Sequence, residues 1–249
     1  MFERRKVENP WEGRIEPFKI IGNVYFVGTF QASSHLIDTG DGLILIDTGY
    51  ENILYLLVDS IYKLGFRPAD VKYIVHTHKH WDHTQATKAM VDLSGAKTLI
   101  GRKDAEKVKE YFTPDILITD GDTLSLGNTT ISFLETPGHT EGTISLFFET
   151  EEDGKSYRVG MFGGAGANTL AKGKFDYDNC REDYKKSLDR LKKEKVDVFI
   201  GNHTWNNNTQ VKAKLLRETG INQFIDDRIW YEFLDFCENR LNSVIESEA

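Results

Sequence analysis

Cysteine is nearly absent from this chain: two in 249 residues, Cys180 and Cys237, in no C-x-x-C pair. Two are too few for a disulfide-rich scaffold, and reduced thiols are expected, although the sequence leaves a pairing between them open. Proline is equally scarce, at five residues, and no Pro- or Ser-rich linker or low-complexity repeat interrupts the chain. One domain spanning residues 1–249 is therefore expected. No apolar run reaches the roughly 18 residues that a membrane-spanning helix needs. Basic residues are outnumbered, 31 Lys plus Arg against 39 Asp plus Glu, for a formal net charge of -8. That deficit removes the general attraction a nucleic-acid binder relies on. The basic clusters Arg102-Lys103 and Lys192-Lys193-Glu194-Lys195 are mixed with acids and read as solvated helix faces. The opening residues Met1-Phe2-Glu3-Arg4-Arg5-Lys6 are charged where a secretory signal is apolar, so a cytoplasmic location is expected. A secreted chain trimmed of its signal would read the same way.

Apolar residues make up 39% of the chain and aromatics 12%, spread along its length, enough to bury a sizeable core. Only the arm Met1–Asn9 and the tail Glu246–Ala249 read as disordered. From Pro17 to Asp47, short apolar runs alternate with turns. Residues 18–21, 24–27, 35–37 and 43–46 read as strands, with hairpin turns at Gly22-Asn23 and Gly40-Asp41-Gly42. The period then lengthens to a helical face at Ile53, Leu56, Leu57, Ile61 and Leu64. Strands are predicted over 71–76, 97–101, 130–135, 143–149, 156–162 and 196–200. Helices are predicted over 85–93, 103–111, 181–193, 209–217 and 227–241. Strand-rich and mixed stretches in both halves imply two sheets with helices on their outer faces, a four-layer αββα sandwich.

Histidine carries the chemistry. Five of the seven histidines fall in three short clusters: His78-Lys79-His80-Trp81-Asp82-His83, Pro137-Gly138-His139 and Gly201-Asn202-His203. Imidazole is a good zinc ligand and carboxylate an acceptable one. Four potential donors within six residues cannot all reach one ion, whereas two neighbouring ions can share them. Each cluster also follows a strand-like run, where a rigid sheet can hold exposed side chains in fixed geometry. The pattern is that of a dinuclear metal site, and hence of a metal-dependent hydrolase.

The H-x-H-x-D-H run, the Pro-Gly-His and the late Gly-Asn-His resemble the metallo-β-lactamase superfamily. The resemblance extends to Leu45-Ile46-Asp47-Thr48-Gly49 and covers nearly the whole chain. Residues 17–28, Asp183-Tyr184, Leu188, Leu191 and Asn222-Gln223-Phe224-Ile225-Asp226 are similar to the third subclass of class B β-lactamases. The resemblance implies that His78, His80 and His139 hold one zinc ion and that Asp82, His83 and His203 hold the other, with iron or manganese as alternative metals. It further implies that a hydroxide between the ions attacks a cyclic amide or ester carbonyl, and that Asp82 orients it and passes its proton onward. Asp47 would stand behind the ligands and set an imidazole tautomer; its other reading is a turn residue ahead of Gly49.

Two departures from the family pattern stand out. Many relatives bridge both metals with an acidic residue, but here Gly164 occupies that place. Its loss resembles the lactamase branch and argues against the thioesterase and phosphodiesterase branches. The third lactamase subclass, however, usually has serines in this stretch that hold the substrate carboxylate, where this chain has Gly164 and Gly166. Second, Thr84-Gln85-Ala86-Thr87 replaces the small residues and glycine that usually follow the motif. Trp81 is expected at the opening, as substrate platform or lid; Trp205, Asn206 and Asn168 are further possible substrate contacts, with an asparagine-rich turn as the alternative. His35 and His76 read as packed histidines. A small molecule is the expected partner, with β-lactams as the leading named substrate and a lactone or other ester as the alternative. A non-hydrolytic metal-binding or redox module ranks below both.

Overall fold

The computed structural model describes residues 9–248; the arm expected at Met1–Asn9 lies outside them save for its last residue, as does Ala249. The first sheet contains, in spatial order, β1 (Phe18–Ile21), β2 (Val24–Phe26), β3 (His35–Asp38), β4 (Leu43–Ile46), β5 (Val71–Val75), β6 (Lys97–Gly101) and β7 (Ile116–Ile118). It is antiparallel from β1 to β4 and parallel from β4 to β7. The second sheet contains β8 (Thr123–Leu126), β9 (Thr129–Glu135), β10 (Ile144–Glu152), β11 (Lys155–Met161) and β12 (Val198–Phe199). The α-helices are α1 (Leu54–Lys63), α2 (Trp81–Thr84), α3 (Thr87–Ser94), α4 (Cys180–Leu191), α5 (Thr209–Thr219) and α6 (Arg228–Glu246).

The layering follows from the two-residue period of the strands. Ile44 and Ile46 of β4 point into the core between the sheets, where they meet Leu146 and Phe148 of β10. Leu43 and Leu45 point the other way, onto Leu57 and Ile61 of α1 and Met90 of α3. Phe147 likewise turns outward, onto a cluster that includes Leu188 of α4 and Trp230 of α6. A strand buried on both faces reads as a continuous apolar run, as β4 does. The result is the expected αββα sandwich.

Several expectations need correction. The helix expected over 85–93 is α3, which begins at Thr87, and a separate single turn, α2, precedes it at 81–84 with a break at Gln85-Ala86. The Thr84 hydroxyl bonds back to the carbonyls of Lys79 and His80, and the Thr87 hydroxyl to that of Thr84; such bonds compete with a continuous helix. The stretch 103–111 is a 3-10 helix, Arg102–Val108, not an α-helix. Two strands lie outside those expected: β7 is an apolar run of only three residues, Ile116–Ile118, and β8 alternates polar with apolar residues over four. The tail is ordered as far as Glu248. Val244 and Ile245 pack beneath α4, and the Glu248 carboxylate accepts from Lys172 N–H and pairs with Arg181. Cys180 and Cys237 are both buried and free. Among the described residues no helix is long and apolar enough to cross a membrane.

Candidate metal centre

Three segments that follow strand ends converge: residues 78–83 after β5, His139 after β9, and His203 after β12. They form two groups of potential donors, His78, His80 and His139, and Asp82, His83 and His203, with the donor atoms of each group within 4.8 Å of one another. The His78 ring lies 4.3 Å from that of His83, so the two groups adjoin.

The hydrogen bonds behind the rings set which nitrogen is bare. A carbonyl or carboxylate oxygen can only accept, so any ring nitrogen facing one must carry the proton. His139 donates Nδ1–H to the Gly166 carbonyl at 2.7 Å, and His203 donates Nδ1–H to the Gln31 carbonyl at 2.6 Å. His83 donates Nδ1–H to Asp47 Oδ2 at 2.8 Å. The Thr77 hydroxyl gives its proton to Asp47 at 2.8 Å and so accepts Nδ1–H of His78 at 3.1 Å. In its neutral form each of these four rings therefore turns an unprotonated Nε2 inward. The Nε2 atoms of His78 and His83 are buried with no hydrogen-bond partner, and Nε2 of His139 faces Nδ1 of His80 at 2.9 Å. Buried, unpartnered nitrogen lone pairs aimed at one another, oriented from behind by carbonyls and a carboxylate, fit divalent cations.

Asp47 anchors this arrangement. It is fully buried, holds a left-handed backbone (φ 55°) that non-glycine residues rarely adopt, and also accepts Thr77 N–H at 2.8 Å. Burial opposes its charge, but the neighbouring His83 and His76 outweigh burial and hold its carboxyl below the usual range. Asp82 is depressed in the same way by His83, His203 and His80, against burial. Burial, followed by the neighbouring imidazoles, pushes His78 well below its ordinary value. It likewise takes His80 down to about 4 and His139 down to about 3. His83 goes the other way, because Asp82 and Asp47 overcome its burial. Most of these rings are thus neutral, and ligand-ready, at neutral pH.

Above the donors opens a cavity of about 170 Å³, whose wall includes Trp81, Asn168, Asn202 and Trp205. Trp81 is 53% exposed and rests edge-on against Tyr50, while Trp205 stacks on His203 with rings 18° apart.

Residues 27–203 match the family model of the metallo-β-lactamase superfamily. The chain belongs to that superfamily. Its fold is similar to a metallo-β-lactamase of Legionella gormanii, with a TM-score of 0.89 and 29% identity over 94% of this chain and 97% of that one. It is also similar to a subclass B3 metallo-β-lactamase of Bradyrhizobium japonicum, with a TM-score of 0.87 and 28% identity over 96% of each chain. In sequence it is 27% identical over 203 residues to an N-acyl homoserine lactonase of a Bacillus species, covering 67% of this chain and 79% of the relative. It is 28% identical over 163 residues to a hydroxyacylglutathione hydrolase of Pelagibacter ubique, covering 59% of this chain and 64% of that relative. As a superfamily member with subclass B3 structural neighbours, the protein is a metal-dependent hydrolase.

Against the metallo-β-lactamase pattern, the glycine stretch is closed to side chains. A Cβ on Gly164 would lie 2.7 Å from Thr143 Cγ2 and 2.9 Å from His139 Cβ, and one on Gly166 would lie 2.9 Å from His139 Cε1. Asn206 does not reach the cavity: it is buried, and its side-chain oxygen accepts His203 N–H at 2.8 Å, tightening the turn. Asn202 lines the wall instead, its amide bonded to the Gly163 carbonyl at 2.6 Å. Its place in Gly201-Asn202-His203 was the available signal. His35 is buried in β3 with Nε2 on the Gly201 carbonyl at 3.0 Å, and burial lowers it to about 4. His76 is buried beside Asp47 and bonds Thr87 at 3.1 Å. Thr77, the relay between Asp47 and His78, escaped the sequence reading; only its position between two histidines pointed to it.

Proposed function

We propose that the protein hydrolyses a cyclic amide, a β-lactam, with zinc ions held by His78, His80 and His139 and by Asp82, His83 and His203. The observation that carries this reading is a donor set of five imidazoles and one carboxylate beside a glycine, Gly164, at which a bridging acidic side chain has no room. Imidazole-rich sets suit zinc better than manganese, which favours carboxylate oxygens. Bound there, two cations would lower the pKa of a water molecule towards neutrality and polarise the scissile carbonyl. Asp82, whose Oδ2 lies 3.6 Å from His83 Nε2 and 3.7 Å from His203 Nε2, stays ionised at neutral pH and can orient that water and accept its proton. Asp47 keeps His83 and, through Thr77, His78 in the required tautomers. Trp81 and Trp205 form apolar walls for the substrate, and the Asn168 amide can donate to one of its oxygens.

A lactone or other ester is the second reading. No lysine or arginine stands among the described residues that line the cavity, so the substrate carboxylate of a β-lactam finds amides there but no cation. An uncharged lactone needs none, and the likeness to the Bacillus lactonase points the same way. Zinc-loaded protein with a chromogenic cephalosporin, beside a chelated control, tests the choice. A chelator-sensitive kcat/KM of about 10⁴ M⁻¹s⁻¹ or more, an ordinary enzyme efficiency, supports the β-lactamase reading. A negligible rate with both sites filled overturns it in favour of the ester.

A further inference from the structure

Asp104 lies outside both donor groups, in the 3-10 turn Arg102–Val108 that follows β6, and is fully buried. Its carboxylate is spent on two other loops. Oδ2 accepts the backbone N–H of Lys79 at 3.0 Å and the hydroxyl of Thr140 at 2.7 Å, and Oδ1 accepts Gly142 N–H at 2.9 Å. Lys79 sits between His78 and His80, and Thr140 directly follows His139. One buried side chain thus joins the two loops that carry the three-histidine group. The approach is close enough to require glycine: a Cβ on Gly142 would lie 2.7 Å from Asp104 Cβ, and one on Gly101 would lie 1.9 Å from the Gly142 carbonyl oxygen. A second carboxylate repeats the link from outside, since Asp176 pairs with the Lys79 ammonium and accepts Glu141 N–H at 3.3 Å.

We propose that Asp104 is a positioning residue for the three-histidine group, holding His80 and His139 at the separation at which both can bind one ion. This rests on the metal assignment proposed above and goes beyond it by giving the three-histidine group a support that the second group does not share. The second group has its own anchors, Asp47 on His83 and the Gln31 carbonyl on His203, neither of which involves Asp104. Losing the carboxylate frees the loops carrying His80 and His139 to part from their 2.9 Å nitrogen contact, without touching those anchors. The effect is therefore selective, which a general loss of stability is not.

The test is stepwise titration of the metal-free full-length protein with cobalt(II), read by its ligand-field spectrum, for the wild type, Asp104→Ala and Asp104→Asn. The asparagine variant keeps the shape of the side chain but must turn an N–H towards one of the three donors, and so serves if the alanine variant does not fold. The expected result is one binding step weakened by about 10–100-fold, the range seen when a supporting hydrogen bond behind a ligand is lost, with the other unchanged. In the same titration, Asp104→Asn combined with His80→Ala is expected to match His80→Ala alone. Two unaltered steps overturn the inference, and so do two steps weakened equally, which would mark a merely structural role. A wild-type protein that binds no cobalt at all overturns the metal assignment itself and the inference with it.

Discussion

His83 donates Nδ1–H to Asp47 Oδ2 across 2.8 Å, with neither side chain exposed to solvent. The same carboxylate holds the hydroxyl and N–H of Thr77, so one residue on the loop after β4 orients imidazoles in both donor groups. A hydrogen bond to a charged group in a dry site contributes more than one on the surface, and stranding its partner costs the full desolvation penalty.

Asp47→Ala should therefore damage both stability and metal retention. It leaves Thr77 N–H and His83 Nδ1–H buried without acceptors, a loss on the order of 3 kcal/mol, or roughly 10 °C in Tm for a chain of this size. Thermal unfolding of the metal-free variant reads the first effect and zinc titration the second. A variant with wild-type Tm and wild-type zinc affinity would contradict the role given to Asp47.

His80→Ala and Asp82→Asn should separate binding from chemistry. The first should remove one equivalent of zinc and nearly all turnover, measured by metal analysis after gel filtration. The second keeps the fold but weakens the group that orients water, so kcat should fall by about 10²-fold or more, within the usual range for general-base removal, with KM changed much less. An unchanged chemical step in single-turnover kinetics would remove Asp82 from that role.

Metal-free protein should lose stability as pH falls from about 6.5 towards about 4. Burial holds His80 at about 4 and His139 at about 3, and His78 well down, each against an ordinary value of 6.5. The unfolded chain takes up protons at these positions first. Stability present above the unfolded value therefore drains away as pH falls through the folded ones. His83 runs opposite: its raised value adds stability that is present below the unfolded value and lost as pH rises through the folded one. With His35, also lowered to about 4 by burial, four depressed imidazoles outweigh one raised imidazole. Urea midpoints of chelator-treated protein across this range should fall with pH, and a flat or rising series would refute the argument.

Gly164→Asp should not create a bridging ligand. The added Cβ would lie 2.7 Å from Thr143 Cγ2 and 2.9 Å from His139 Cβ, both buried side chains with little freedom to yield. Displacement of His139 should lower zinc content and Tm together. A stable variant with unchanged zinc stoichiometry would show that the stretch has room.

Local pattern carried much of this protein. The four donors from His78 to His83 are legible because they are adjacent in the chain, and imidazole chemistry narrows what such a cluster can do. The αββα layering is legible because β4 is apolar on both faces and β10 sets Ile144, Leu146 and Phe148 on one, and because Leu57 and Ile61 recur at helical spacing. Packing and hydrogen bonds between distant segments decided the rest. Asp104 resembles any acid in a basic surface stretch until its carboxylate is seen to hold Lys79 and Gly142 from two other loops. Asn206 and Asn202 have the same chemistry and nearly the same address, yet one caps a buried turn and the other lines the cavity. The direction a side chain takes there depends on which polar groups folding brings within about 3 Å of it, and nearest neighbours in the chain do not specify that.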